Sequence, residues 1–468
     1  MIGEVEEEFR DSVAHISAEG KRVWFFPKKP KGYFYNLRSY LSWVYLVVFF
    51  GLPFVKFHDA PLFLLNIIDR IYIIFGVRFW PQDFFIFVLG MLIFVVFIIL
   101  FTVIFGRVFC GWVCPQTIFM EMVFRKIEYW VEGDRKAQMA LRAEPWNSKT
   151  LSRRILKIVL FYAVSFAIAN TFLMYIIGSD SVWNIATEPV SHHIGGFLAI
   201  VIFSFVFFFI YYWFREQVCL IVCPYGRMQG VMLDKNSIAV TYDHVRGEPR
   251  TKHVKKTTDQ PHGDCVDCLE CIRVCPTGID IRNGLQLECV NCTACMDACD
   301  TVMEKTHREK GLIRYASENS IVTKTKLRIN KRILAYCFVL LALICVEAFL
   351  LITRSELEVN SVRTRNTLFT VEPDGKIGNL YNIKLINKTS DEMNLEFRIE
   401  GKHASFDWIG HQNKLQSGEM KNGELFIYVP LNELPIQRNR VELEIYSNGE
   451  LKATEHLVLL APNKSNRP

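Results

Sequence analysis

The 468-residue chain is 51% hydrophobic and 13% aromatic with a positive mean hydropathy, which excludes a disordered chain and an ordinary soluble domain. Its formal net charge of +6 meets no Lys/Arg cluster within a nucleic-acid-binding motif, so no nucleic-acid partner is expected. Twelve of the fourteen cysteines fall in four tight groups with metal-type spacing, and none follows Cys345, so no disulfide is expected in the last region.

Residues 1–38 are charged and lack an apolar core with a small-residue cleavage site, so they are read as a cytoplasmic N-terminal segment without a cleaved signal peptide. Five apolar stretches follow, 39–55, Phe84–Phe105, 155–177, 195–214 and Ile333–Ile352, each near the ~20 residues that cross a bilayer as helix. The stretch 60–75 is also apolar, but Asp69 and Arg70 interrupt it and Pro61 opens it, so an interfacial or re-entrant piece outside the membrane is expected. Lys21, Arg22, Lys28, Lys29, Lys31 and Arg38 precede the first span, 107–154 is rich in Lys and Arg, and 178–194 has neither. The positive-inside rule then predicts a multi-pass membrane protein with its N-terminus cytoplasmic and its C-terminus on the outer side.

The expected domains are therefore a four-helix membrane region over 39–214, a cytoplasmic insert over 215–332, a fifth transmembrane helix over 333–353 and a periplasmic domain over 354–468. Period-2 alternation and the Asn448-Gly449 turn signal predict a small β-sandwich over 358–462.

Spans one and two end in "FCGWVCPQ" and spans three and four in "VCLIVCPYG", so C-x3-C-P is a duplicated feature of two hairpins. Pro115 and Pro224 break the helix there and turn the thiols of Cys110, Cys114, Cys219 and Cys223 toward a shared site. Four soft sulfurs favour Cu(I), zinc or iron–sulfur, so these four are the expected metal and redox residues. The residues 117–131 mix Ile118, Phe119, Met122, Ile127 and Trp130 with Glu121, Arg125 and Glu128, as an interfacial amphipathic helix or a plain connector would.

In the insert, "CVDCLECIRVCP" and "CVNCTACMDAC" both read C-x2-C-x2-C-x3-C. Three thiolates of such a loop reach one cubane and the fourth cysteine ligates the other. Cys265, Cys268, Cys271 and Cys299 would hold one [4Fe-4S] cluster, and Cys289, Cys292, Cys295 and Cys275 the second. Paired structural zinc sites would not need the fourth thiol at x3 twice. Pro276 follows Cys275 as expected, whereas Asp300 follows Cys299, a carboxylate and an altered turn beside that cluster.

Other candidates carry weaker signals. Cys337 and Cys345 in the fifth span are expected to be small buried hydrophobes. His58, His192 and His193 lie on the outer side, where solvated side chains are the simpler reading beside a periplasmic metal site. Glu347, the one acid in the fifth span, is placed for function or for snorkelling near the outer end.

The order "CGWVCPQ", "CLIVCPYGRMQ", "CVDCLECIRVCPTGID", "CVNCTACMDAC" along nearly the whole chain resembles the cytochrome c oxidase accessory proteins of the FixG/CcoG/RdxA type. That resemblance implies a cupric reductase making Cu(I) for assembly of a cbb3-type oxidase, with an immunoglobulin-like C-terminal domain. Its partners would be oxidase subunits or copper chaperones and transporters, and its electron donor is unknown. The expected architecture is a multi-domain membrane protein: a five-span α-helical bundle, a cytoplasmic two-cluster ferredoxin-like insert and a C-terminal immunoglobulin-like β-sandwich. The alternative is a membrane quinol dehydrogenase or electron relay, similar to the membrane ferredoxins feeding nitrate or nitrous oxide reduction, which share C-x3-C-P hairpins. A third class is a scaffold with structural clusters. The β-domain after a fifth span favours the oxidase-assembly family.

Overall fold

A computed structural model describes residues 22 and 24–462, apart from 58–59, 69–70, 80–82, 146, 252–261, 285, 325–330, 365–367, 390, 400–402 and 410–413. The chain divides into two units, Met1–Val55 with Val88–Ile344, and Lys56–Phe87 with Cys345–Pro468. Five helices are long and apolar enough to cross a membrane: Tyr33–Phe54, Phe84–Phe105, Thr150–Ile177, Ile194–Phe214 and Ile333–Ile352. These are spans one to five.

Spans one and three begin several residues before their apolar stretches because their first turns are capped. Ahead of span three, Asn147 accepts from Ser148 N at 2.7 Å and donates its own N–H to Thr150 Oγ1 at 2.9 Å. Span one has no local cap. Its first amides, Phe34 N and Tyr35 N, donate instead to the two carboxylate oxygens of Asp297, at 3.1 and 2.8 Å, from the distant insert. Gly32 makes this approach possible: its φ is 153°, and a Cβ there would lie 2.3 Å from Asp297 Cγ.

The insert is built on two antiparallel strands, Ala239–Tyr242 and Ile313–Ala316, with helices Glu270–Val274 and Ala294–Lys305. Val240, Tyr242, Ile279, Ile281, Leu312 and Ile313 form its core together with Cys265 and Cys271. Eight cysteines and a small apolar core share one interior, so metal and packing stabilise the same structure.

Below it, the helix from Pro115 to Val131, with a π-helical turn at Phe119–Phe124, departs from the amphipathic expectation. Arg125 and Glu128, which should have formed a wetted face, are each 1% exposed, while Trp130 is 75% exposed. The charges turn inward because they meet partners from the second hairpin. Arg215 donates to both oxygens of Glu128 at 2.8 and 2.7 Å, Lys157 reaches Glu128 at 2.9 Å, and Arg125 pairs with Glu121 and Glu216. This knot joins the segment after the first C-x3-C-P to the segment before the second.

The second unit carries two structures. The stretch expected to be re-entrant or interfacial forms an antiparallel sheet, Phe63–Asn66, Ile71–Ile74 and Val77–Phe79, turning at Phe75 and Gly76 with φ of 51° and 79°. Its run of Ile71, Ile73 and Ile74 is β-branched, and the length suits a strand better than a helix. The C-terminal region is the predicted sandwich. One sheet orders Ser405–Ile409, Met420–Pro430, Lys376–Asn387 and Leu357–Arg363, with Thr370–Val371 beside Lys376–Asn387. The other orders Lys414–Leu415, Met393–Ile399, Arg438–Ser447 and Glu450–Leu460. Alternate side chains of both, including Ile377, Ile383, Leu425, Ile427, Leu443 and Leu459, fill the space between the sheets. Asn448 and Gly449, with φ of 50° and 82°, turn the last hairpin as expected.

Burial alone would raise the Glu128 carboxyl, but Arg215, Lys157 and Arg125 hold it well below its ordinary value of 4.5. A depressed carboxylate stabilises the fold fully above that ordinary value and loses the contribution as pH falls below it. Glu128→Gln is expected to cost about 3–5 kcal/mol at neutral pH by stranding buried cations. The detergent-purified variant should unfold at lower temperature, and the gap from the parent should narrow when both are melted below pH 4.5. Equal melting at neutral pH would remove the knot from the stability of the bundle.

Candidate functional site

The two cysteine loops of the insert are shaped by the same local device. Asp267 and Leu269, flanking Cys268, have φ of 46° and 60°; Asn291 and Thr293, flanking Cys292, have 53° and 63°. Left-handed residues on either side of the middle cysteine curl each loop so that thiols and backbone N–H groups face inward. Two cavities result. Cys265, Cys268, Cys271 and Cys299 line one, with Tyr242, Met303, Leu312 and Ile313 around them. Cys275, Cys289, Cys292 and Cys295 line the other, with Val240, Ile279 and Ile281, and Cys271 touches both. Cys295 and Cys299 lie on one helix about 6 Å apart along its axis, which is how consecutive cysteines serve different cavities.

These residues fit [4Fe-4S] groups. The lining is thiol and apolar, and backbone N–H groups of Ile279, Thr277 and Gly278 are directed at the Cys275 sulfur. Among the described residues no three His, Cys, Asp or Glu side chains converge tightly enough for a single ion, so the thiols ring a volume instead of a point. Burial pushes the thiols of Cys271, Cys289 and Cys299 up to about 12 and that of Cys292 up to about 11, so a metal must supply the charge that deprotonates them. The Asp300 departure has a structural reason. Pro276 ends the helix Glu270–Val274, whereas the helix Ala294–Lys305 runs straight through Cys299, and Asp300 turns to accept from Gly311 N at 2.8 Å.

The C-x3-C-P segments close in the same way in both hairpins. Cys114 N donates to Phe109 O at 2.9 Å and Cys223 N to Val218 O at 2.8 Å, each second cysteine sits just before a helix, and Pro115 and Pro224 take its first position. The prolines thus start new helices as much as they end old ones. The repeats then exchange contacts: Gln229 of the second lies 3.4 Å from the Cys110 sulfur, and Thr117 of the first lies beside Cys219, its buried Oγ1 making no hydrogen bond among the described residues. Tyr225 Oη lies 2.6 Å from Thr102 Oγ1, and Gln229 is fully buried. Burial pushes Cys110 up to about 11 and Cys219 to about 12; the neighbouring thiols, Cys114 and Cys223 among them, add to both. The four thiols therefore form one electrostatic group, without converging on a single point.

The Cys110 turn meets the insert backbone to backbone. A Cβ on Gly111 would lie 2.5 Å from Val290 O and 2.7 Å from Asn291 O, inside the loop bearing Cys289 and Cys292. Trp112 Nε1 donates to Tyr315 Oη at 3.0 Å, and Tyr315 Oη donates to Asn291 O at 3.3 Å. The buried Arg107 guanidinium joins three pieces, donating to Leu287 O in the insert and Gly226 O in the second repeat from its own place in the first. Sequence reasoning missed Arg107, Gln229, Asp297 and Tyr315 because each acts on residues more than 100 positions away or in another module. Only the glycine beside Cys110 could have hinted at a close approach.

Several expectations change. Cys337 and Cys345 are exposed on span five and do not pack into the protein. His192 is exposed, His193 pairs with Glu188 at 2.8 Å, and His58 lies outside the described residues. Glu347 is half-buried, and its Oε2 has no hydrogen-bond partner among the described residues.

Three family models match the chain. A "4Fe-4S dicluster domain" matches 214–318, a "4Fe-4S binding domain" matches 87–137, which includes Cys110 and Cys114, and an "IG-like fold at C-terminal of FixG", whose description also names an oxidoreductase, matches 348–462. Nitrogen fixation protein FixG of Rhizobium meliloti is 34% identical over 82% of this chain and 80% of its own length. Protein RdxB of Cereibacter sphaeroides is 32% identical over 90% and 89%, and protein RdxA of the same organism 31% over 81% and 83%. The crystal structure of a FixG-related protein from Vibrio parahaemolyticus aligns at 21% identity with a TM-score of 0.19, over 24% of this chain and 99% of that one. The 4Fe-4S matches support two iron–sulfur clusters, and five apolar helices with these relatives indicate a membrane protein.

Crossed ligand sets make a specific prediction. Cys275→Ser and Cys299→Ser should each remove about half the iron and labile sulfide of an anaerobic preparation, with electron paramagnetic resonance showing that a different cluster is lost in each. Gly111→Ala should leave iron content intact while lowering stability by about 1–3 kcal/mol through overpacking at the hairpin–insert contact. Full iron in both serine variants would refute the ligand assignment.

Proposed function

From the premise that this chain belongs to the FixG/RdxA family, we propose that it is a membrane oxidoreductase reducing Cu(II) to Cu(I) for assembly of a cbb3-type cytochrome oxidase. The observation that carries the reading is the contact at Gly111, where the turn bearing Cys110 lies against the loop bearing Cys289 and Cys292. A [4Fe-4S] group supplies one-electron transfer when bound. Reduction of Cu(II) needs one electron and no proton, and the electron comes from a donor outside this chain.

The chain's own residues would do the rest. Cys110, Cys114, Cys219 and Cys223 offer soft sulfur, which prefers Cu(I) over Cu(II) and so favours the product state of the substrate ion. Gln229 orients the Cys110 sulfur, and the thiol protons leave as metal binds. Arg107, Trp112 and Tyr315 keep the turn seated against the insert. The Lys/Arg-rich loops support an inner-membrane placement with the insert in the cytoplasm and the β-domain in the periplasm, where it would meet oxidase subunits or copper-handling partners.

The test is anaerobic Cu(II) reduction by dithionite-reduced protein, followed with a Cu(I)-specific chelator. Single serine variants at Cys110 and Cys223 should lose at least about tenfold in rate, the equivalent of about 1.4 kcal/mol in barrier, while keeping their iron. Undiminished copper reduction in those variants would end the thiol assignment. Quinol oxidation without copper reduction would replace it with the electron-relay reading.

A further inference from the structure

A cavity of about 480 Å³ lies at the thiol-bearing ends of spans three and four, away from every cysteine. Its basic wall is Arg142, Arg154, Lys157 and Arg215, and its aromatic wall includes Trp24 and Trp213. The cations are unevenly neutralised. Lys157 is matched by Glu128 and Glu132 and Arg215 by Glu128 and Glu216, whereas among the described residues Arg142 is met only by the rings of Trp24 and Phe26, at 5.2 and 5.7 Å. Arg22 lies behind that wall, 3.9 Å from the Trp24 ring and 5.2 Å from the Trp213 ring. Burial, then the charge of Arg215 opposed by Glu216, then that of Arg142, leave the Arg22 guanidinium below its ordinary value, the mark of crowded cations.

A second observation points to a ligand. Arg215 is 4% exposed and lines the cavity; its Nε makes no hydrogen bond among the described residues and is faced only by Glu216 Oε2 at 3.7 Å, while the Nε of Arg22, next to the lining, is buried and unbonded. Buried guanidinium N–H groups left open beside excess positive charge call for an anion with several acceptor oxygens. On the cavity's other side Leu151, Ile155 and Ile158 of span three are 40–50% exposed, giving an apolar surface continuous with the basic wall. A free anion has no use for that surface; an acyl chain does. Basic pockets between membrane helices are suited to anionic headgroups.

We propose that this cavity binds the phosphate headgroup of an anionic phospholipid, with the acyl chains lying along span three. The bound phosphate neutralises Arg22 and Arg142 and fastens the strap around Trp24 to the ends of spans three and four. It does so one residue from Glu216 and four from Cys219, so the lipid would stiffen the approach to the second thiol pair. The proposal stands whether or not copper is the substrate, because its readout is lipid binding.

The experiment uses the full chain in an uncharged detergent, stripped of lipid and titrated with phosphatidylglycerol, phosphatidylcholine, inorganic phosphate or a short-chain quinone. Bound lipid is read by native mass spectrometry and stability by thermal unfolding. Phosphatidylglycerol should bind and raise the midpoint, whereas phosphatidylcholine and phosphate at the same concentration should not. Arg142→Gln with Arg154→Gln should weaken phosphatidylglycerol about 30-fold, at about 1 kcal/mol per basic residue. Arg142→Lys should retain the selectivity, and Arg153→Gln, exposed and off the cavity, should change binding less than about twofold. Equal retention of both lipids, stabilisation by phosphate alone, binding of quinone in place of lipid, or an unaffected double variant would each overturn the proposal.

Discussion

The absence of a side chain at Gly111 is the constraint on which the arrangement of the redox elements rests. Two carbonyl oxygens of the second cysteine loop occupy the space where a Cβ would stand, at 2.5 and 2.7 Å. No other residue would let the loop and the thiol turn touch through backbone. Everything near that point reinforces the seating: Arg107 spends its guanidinium on carbonyls of the insert and of the second repeat, and Trp112 holds Tyr315 in place to cover Asn291. Asp297, two residues from Cys295 and from Cys299, meanwhile caps the first span. The insert is therefore attached to the membrane helices at residues that neighbour its metal cavities.

The ionic knot of Arg125, Glu128, Lys157 and Arg215 solves a different problem. Two helical hairpins of apolar residues can slide past one another with little change in buried area, since lipid is as apolar as their neighbours. A bidentate Arg215–Glu128 pair at 2.8 and 2.7 Å has one good register. Desolvation makes such a pair a weak source of net stability, but a misregistered one would leave charge buried and unmatched, and that is strongly unfavourable. The knot acts at the point where register matters, between the two copies of C-x3-C-P.

Much of this was legible in the sequence, and the reason is locality. The two thiol-lined cavities are readable because a cubane-binding loop must present three thiols within seven residues, so Cys265 to Cys271 and Cys289 to Cys295 declare themselves. The spans are readable because hydrophobic thickness sets a length. What could not be read are the relations between distant segments. Arg125 and Glu128 look like a polar helix face until Arg215, 87 residues beyond Glu128, turns them inward. Asp297 looks like a ferredoxin surface residue until Gly32 arrives beside it. The strands Phe63–Asn66, Ile71–Ile74 and Val77–Phe79 were not legible as strands because hydropathy alone does not separate strand from helix in a short apolar run.

The thiols show why packing and chemistry are not separable here. Every cysteine with a resolved shift, in the insert and at the hairpins, is pushed upward, with burial as the leading cause. The protein alone therefore favours the protonated, poorly nucleophilic thiol, and a metal that binds there must displace protons. That barrier discriminates: hard cations gain little from sulfur, whereas soft ions gain enough to drive deprotonation in an apolar surrounding. In the insert, burial, which looks like a cost to a cluster site, thus works as its filter. The same low polarity strengthens the few hydrogen bonds at the thiols, such as that of the fully buried Gln229 on the half-buried Cys110.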